Sequence, residues 1–183
     1  MAGRRLGSTR DMVITMVVVL VVVGFMALYG TRIIFSPGAQ PVSGDAPTAD
    51  VVGGFTHARG SLPFPVVVPR GVPDDWHPNS MSVSDPMLDG PDTVPTVRGG
   101  WITPDGAFIT LIESSGDVDQ LLAAEVGGSG PRTGTVQAGG TWTVTTGVRN
   151  EAAWVRAAAR TTYLITGNAT PDEFRALAEA VAG

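Results

Sequence analysis

Residues 97–113, VRGGWITPDGAFITLIE, decide the fold. Two strand-like runs, 97–103 and 107–113, are joined by Thr103-Pro104-Asp105-Gly106. Proline early and glycine late in such a connection suit a type I turn closed by a glycine bulge, so the stretch predicts a β-hairpin. A hairpin at the centre of the chain sets an expectation for the remainder. That expectation is an α+β domain, with an antiparallel sheet of about six strands, one short helix, and a C-terminal helix packed on the sheet.

Toward the C-terminus, Asp117-Val118-Asp119-Gln120 opens the short helix. Asp117 is placed to cap it, and Val118, Leu121, Leu122 and Val126 form its apolar stripe. Gly127-Gly128 ends it. Residues 132–137 and 141–148 read as strands, with Trp142 and Val144 on one face between alternating threonines. The alanines of 151–160 favour helix by propensity. Their position between two strand-like runs favours a hairpin of 153–158 with 161–166, and strand is the reading adopted. The last helix is the best marked: Thr170 is the N-cap, Pro171 stands at N1, and Glu173 completes a capping box. Phe174, Leu177, Ala178 and Val181 fall on one face.

Toward the N-terminus, residues 79–84 alternate Met81 and Val83 with serines, as a half-buried strand does. Residues 85–95 read as a long proline-rich loop. Prolines 63, 65, 69 and 73 allow an extended segment but no helix and no central strand. The folded domain is placed at 62–183. Residues 35–61, rich in Pro, Gly, Ala and Ser, are expected to be a flexible tether. Ahead of it, residues 12–30, MVITMVVVLVVVGFMALYG, carry no charge and are apolar on every side. A helix of nineteen residues rises roughly 28 Å, close to the hydrocarbon thickness of a bilayer. The expectation is a single membrane-spanning helix over 12–34 with the lipid bilayer as its partner. Arg4, Arg5 and Arg10 before the apolar run 12–30 outweigh Arg32 just after it, which keeps residues 1–11 cytoplasmic and the domain outside. The apolar run exceeds that of a cleaved signal peptide and no small-residue cleavage site follows it, so the anchor is expected to be retained.

Composition removes several chemistries. The 183 residues include no cysteine and no lysine, so there is no thiolate nucleophile, no Cys-ligated metal, no Schiff-base lysine and no lysine-bearing phosphate loop. From Ser36 onward eight arginines face sixteen carboxylates, a balance unsuited to nucleic acid.

Four features together resemble a family of uncharacterised actinobacterial proteins. They are the basic-flanked N-terminal anchor, FPVVVPRGVPDDWHP (64–78), GGWITPDGAFITLIES (99–114), and the ending TWTV, AAWV and TTYLITGNATPDEFRALAEAVA. The resemblance spans nearly the whole chain and implies a short, single-pass membrane protein carrying a domain of unknown function. It implies no activity and no site. The ending is also similar to extracytoplasmic domains of bacterial envelope lipoproteins and anti-sigma-factor regulators.

Candidate chemistry is sparse. His57 and His77 stand twenty residues apart with no completing ligand pattern, so no metal and no cofactor is expected. Asp74, Asp75, Asp89 and Asp92 lack a calcium-loop spacing. No G-x-S-x-G elbow is present to mark a serine nucleophile. Glu113 is the candidate carboxylate for glycosidase chemistry, but as a strand-end glutamate it reads as solvated. Trp76 with His77 is the candidate binding surface, either an exposed tip or, the preferred reading, a plug over one end of the sheet. The function expected is a non-catalytic, membrane-anchored extracytoplasmic domain binding an envelope protein or ligand. The alternatives are a regulatory or sensory membrane protein acting through a partner, and an envelope hydrolase.

Overall fold

The structure of the chain is a computed structural model describing Met16, Val19 and residues 48–90, 93–128 and 130–182. The membrane-span reading of 12–34 lies outside the described residues except at Met16 and Val19, which are both helical. Among the described residues no helix is long and apolar enough to cross a membrane. The described fold belongs to the compact unit Asp45–Gly183.

In chain order the elements are α1 (Val51–Ser61), β1 (His77–Ser84), the single turn α2 (Pro86–Asp89), β2 (Thr96–Ile102), β3 (Phe108–Ser114), α3 (Val118–Val126), β4 (Gly134–Gln137), β5 (Thr141–Thr146), β6 (Ala152–Ala158), β7 (Thr161–Gly167) and α4 (Pro171–Ala180). The strands form one sheet in the order β1-β2-β3-β7-β6-β5-β4. Every pairing is antiparallel. The fold is therefore α+β, with one strand more than the six or so expected. The hairpin at 97–113 forms as its turn chemistry predicts. Gly106 donates to the Thr103 carbonyl at 2.8 Å from a backbone at φ 78°, where a side chain would be strained. The ambiguous 151–160 resolves as strand, Ala158 pairing with Thr161 across a two-residue turn. Both helix-start signals hold: Asp117 accepts from the Gln120 amide, and the Thr170–Glu173 capping box is complete.

Cross-strand partners share a face, so the register divides the sheet into two unlike surfaces. On the first face Val97, Trp101, Ile109, Leu111, Trp142, Trp154 and Ile165 make the main core. It is covered by α1, by the extended residues 62–76, and by α4. Trp154 meets Phe174 of α4 with ring centroids 5.4 Å apart. On the second face a narrower strip, Ile112, Ala153, Val155 and Leu164, is covered by α3 alone.

The tether reading of 35–61 requires a correction over 51–61. These residues form α1, whose Val51, Phe55 and Ala58 are buried, so the domain starts well before Leu62. Asp50 caps the helix by accepting from the Gly53 amide at 2.8 Å. One of the glycines that suggested flexibility, Gly54, is a packing residue. A Cβ on Gly54 would stand 2.5 Å from Met81, and one on Gly99 of β2 would stand 2.6 Å from both Phe55 and Val51. Small residues on both partners let α1 settle directly on β1 and β2. Residues 85–95 also hold the single turn α2 instead of loop throughout.

Candidate functional site

Two polar centres occupy opposite faces of the sheet. The first is built on the row Glu113–Tyr163–Arg156, three residues directly opposite one another on β3, β7 and β6. Alternation places Glu113 on the same face as Ile109 and Leu111, and it is fully buried. The segment that buries it is the proline-punctuated strap 62–67, whose Leu62, Phe64 and Val66 turn into the core. This segment joins no ladder, so its backbone groups require side-chain partners. The Val67 amide donates to Glu113 Oε2 at 2.9 Å. Thr161 Oγ1 donates to the Pro65 carbonyl at 2.8 Å, and Arg59 Nε to the Val66 carbonyl at 3.0 Å.

Removal from water pushes the Glu113 carboxyl up to about 8, against the opposing pull of the Val67 amide and the nearby Arg59 and Arg156 guanidinium groups. Its Oε1 is buried without a hydrogen-bond partner. The same burial, with the Glu113 charge second, raises the Tyr163 phenol. Arg156 lies between two rings, 5.0 Å from the Trp142 centroid and 4.9 Å from that of Tyr163, and donates to the Gly139 carbonyl at 2.9 Å. The expectation of a solvated Glu113 is thus overturned. The alternation Ile109, Leu111, Glu113 was the sequence signal that placed it on the core face. Sealed beneath the strap, this centre anchors structure.

The second centre is open. On the other face the strands present hydroxyls: Ser80, Ser82 and Ser84 on β1, Thr96 on β2, Thr110 and Ser114 on β3. Because α3 packs over β6 and β7, a groove remains between it and β1–β3. One cavity of about 260 Å³ is lined by Ser84, Thr96, Arg98, Ser114, Gln120 and Glu125. A second of about 270 Å³ is lined by Phe108, Thr110, Val126, Glu151 and Thr166, and Glu125 borders both. Arg98 Nε donates to both oxygens of Glu125 at 3.0 and 3.1 Å, Nη2 adds a further bond to Oε1, and Nη1 reaches Ser84 Oγ at 3.0 Å. Arg149 and Glu151 make a second pair, Nη2 to Oε1, at 3.4 Å. Hydrogen bonds from backbone amides, foremost among the charge-stabilising influences, hold the Glu151 carboxyl below its ordinary range.

The residues singled out from sequence stand elsewhere. Trp76 is buried in the main core with 6 % of its surface exposed, so it does not form an exposed tip. His77 begins β1, half-buried and paired with Ile102, and lines neither cavity of the groove. Among the described residues, no three His, Cys, Asp or Glu side chains gather to hold a metal ion. Sequence reasoning missed Arg98, Phe108 and Glu125. The available signal was the polar half of each alternating strand, which shows that a second face exists but not that a helix leaves part of it uncovered.

Residues 4–181 match the family model described as "Protein of unknown function (DUF4245)". No curated protein and no solved structure matches the chain.

Proposed function

The chain belongs to the DUF4245 family of proteins of unknown function, and from that premise we propose that it is a non-catalytic binding module of the cell envelope. In this reading residues 12–34 span the membrane of an actinobacterial cell, residues 1–11 stay in the cytoplasm, and the α+β domain stands outside. The span is supported by the length and lack of charge of its apolar run 12–30 and by the arginines ahead of it. The observation that carries the binding role is the groove beside α3, open and lined by both polar and apolar side chains, while the core on the opposite face is sealed. A hydrolase reading gains nothing from Glu113, whose carboxyl no substrate bond can reach.

Two measurements test the proposal. The chain has no cysteine, so Met87→Cys, at a side chain 91 % exposed, gives a single labelling site. A membrane-impermeant maleimide should label it in intact cells, and labelling only after lysis would refute the topology. Crosslinked capture through the full-length protein in intact cells should yield a ligand or partner that is lost when the groove is altered at Arg98 or Phe108. Capture indifferent to those changes would remove the groove from the function.

A further inference from the structure

Resting on that reading, we propose that the groove beside α3 binds a neutral oligosaccharide. The floor of the groove is laid largely by β2 and β3, with the edge strand β1 at its margin, and the backbone groups of β2 and β3 are already bonded to neighbouring strands. What the floor offers a ligand is therefore side chain: the Thr110 hydroxyl, and the Ser84 and Thr166 hydroxyls with their remaining bonding capacity, set among apolar groups, while Thr96 and Ser114 are buried and bonded to each other. A sugar chain, with hydroxyls on its edges and apolar C–H faces, suits such a mixed lining.

Charge points the same way. The groove's arginines and glutamates stand in opposite-sign pairs, Arg98 with Glu125 and Arg149 with Glu151, so no single-sign field exists to collect a polyanion or a polycation. Arg98 fixes the Glu125 carboxylate from one side, and Glu125 Oε2 takes only one bond from it. The remaining lone pairs of that oxygen border both cavities and can accept from a sugar hydroxyl.

Phe108 completes the fit. Its ring reaches across Gly100, where an added Cβ would stand 2.8 Å from Cζ, and 40 % of the residue is exposed beside the second cavity. An aromatic ring on the floor of a hydroxyl-lined cleft is a platform for the C–H face of a pyranose. Glycine at position 100 is what lets that ring lie there.

The test uses the full chain in lipid nanodiscs, which avoids sugar-headed detergents. It is titrated by calorimetry with tetramers of N-acetylglucosamine, mannose and glucose, and with a neutral Gly-Ser octapeptide. At least one tetramer should bind saturably. Phe108→Ala and Glu125→Gln should each weaken it by roughly tenfold or more, and Glu113→Gln on the sealed face should leave it unchanged. Thr110→Val, which removes a hydroxyl at constant shape, should also weaken it. Octapeptide binding without tetramer binding would overturn the ligand class and leave the binding module standing. Tetramer binding indifferent to Phe108→Ala and Glu125→Gln would overturn the location. Should neither probe bind, and crosslinked capture ignore both variants, the module reading would fall as well.

Discussion

Glu113 and Glu125 make an instructive pair. Each is a glutamate with arginine close by, and they stand on opposite faces of one sheet. Glu113 lies under the strap 62–67, where its carboxyl meets one backbone amide and the loss of water outweighs the attraction of Arg59 and Arg156. Glu125 lies at the margin of a groove, clasped through both oxygens by Arg98 and still reached by solvent. The difference teaches that cover, more than the presence of a cation, settles what a carboxylate does here. The covered one holds the architecture together, and the uncovered one is available to a ligand.

The strongest way to break this contrast is to remove the cover. Phe55→Ala should cost about 3–5 kcal/mol, because α1 rests on β2 through that ring. Urea unfolding of the full chain measures it, and a loss below about 1 kcal/mol would return residues 51–61 to the status of a tether.

Next in size is a pH dependence. The Glu113 carboxyl is raised from its ordinary 4.5 to about 8 in the folded protein. The folded state therefore keeps a proton that the unfolded state releases. This contribution to stability is fully present below the ordinary carboxylate range and is lost as pH rises through about 8. Between pH 5 and pH 8.5 the wild-type protein should lose on the order of 2–4 kcal/mol, and Glu113→Gln should flatten most of that slope. An unchanged slope in the variant would show that the carboxyl is not sealed.

On the open face the same substitution should do little to the fold. Glu125→Gln is expected to cost no more than about 1 kcal/mol, the scale of a solvent-screened ion pair, while still impairing ligand binding. A loss of several kcal/mol would place Glu125 with Glu113 as a structural group and erase the distinction.

The smallest effect refines the architecture alone. Ala159, in the turn between β6 and β7, is held at φ 53°, where a Cβ is unfavourable. Ala159→Gly should gain up to about 1 kcal/mol in thermal unfolding, and a loss would show that the methyl group makes a compensating contact.

The sequence was legible where the signal is local. Thr103-Pro104-Asp105-Gly106 specifies its own turn, and Thr170 with Glu173 caps a helix within four residues, so both were found where expected. Helix α1 was hidden because Gly53, Gly54 and Gly60 read as flexibility, whereas the need for a small residue at Gly54 against Met81, and at Gly99 against Val51 and Phe55, exists only in the assembled fold. Glu113 was half legible: its place after Ile109 and Leu111 pointed inward, but the strap that seals it comes from residues 62–67, far away in sequence. The groove was least legible, since it exists only where the nine-residue α3 is too narrow for seven strands.

The strand order has a further consequence, in time. β7 occupies the middle of the sheet, between β3 and β6, yet it is the last of the seven described strands in chain order. Everything synthesised earlier forms two separate meanders, β1-β2-β3 and β4-β5-β6, each with an unpaired inner edge rich in apolar side chains. A nascent chain that ends short of residue 161 has no means of joining them, because the seam Ile109–Gly167 to Ser114–Thr162 does not yet exist. Closing it brings together segments about fifty residues apart, the slow kind of contact, and until then both edges are open to mispairing with other chains. Completion of this sheet is thus postponed until β7 has been made, long after the strands it joins to on the β3 side.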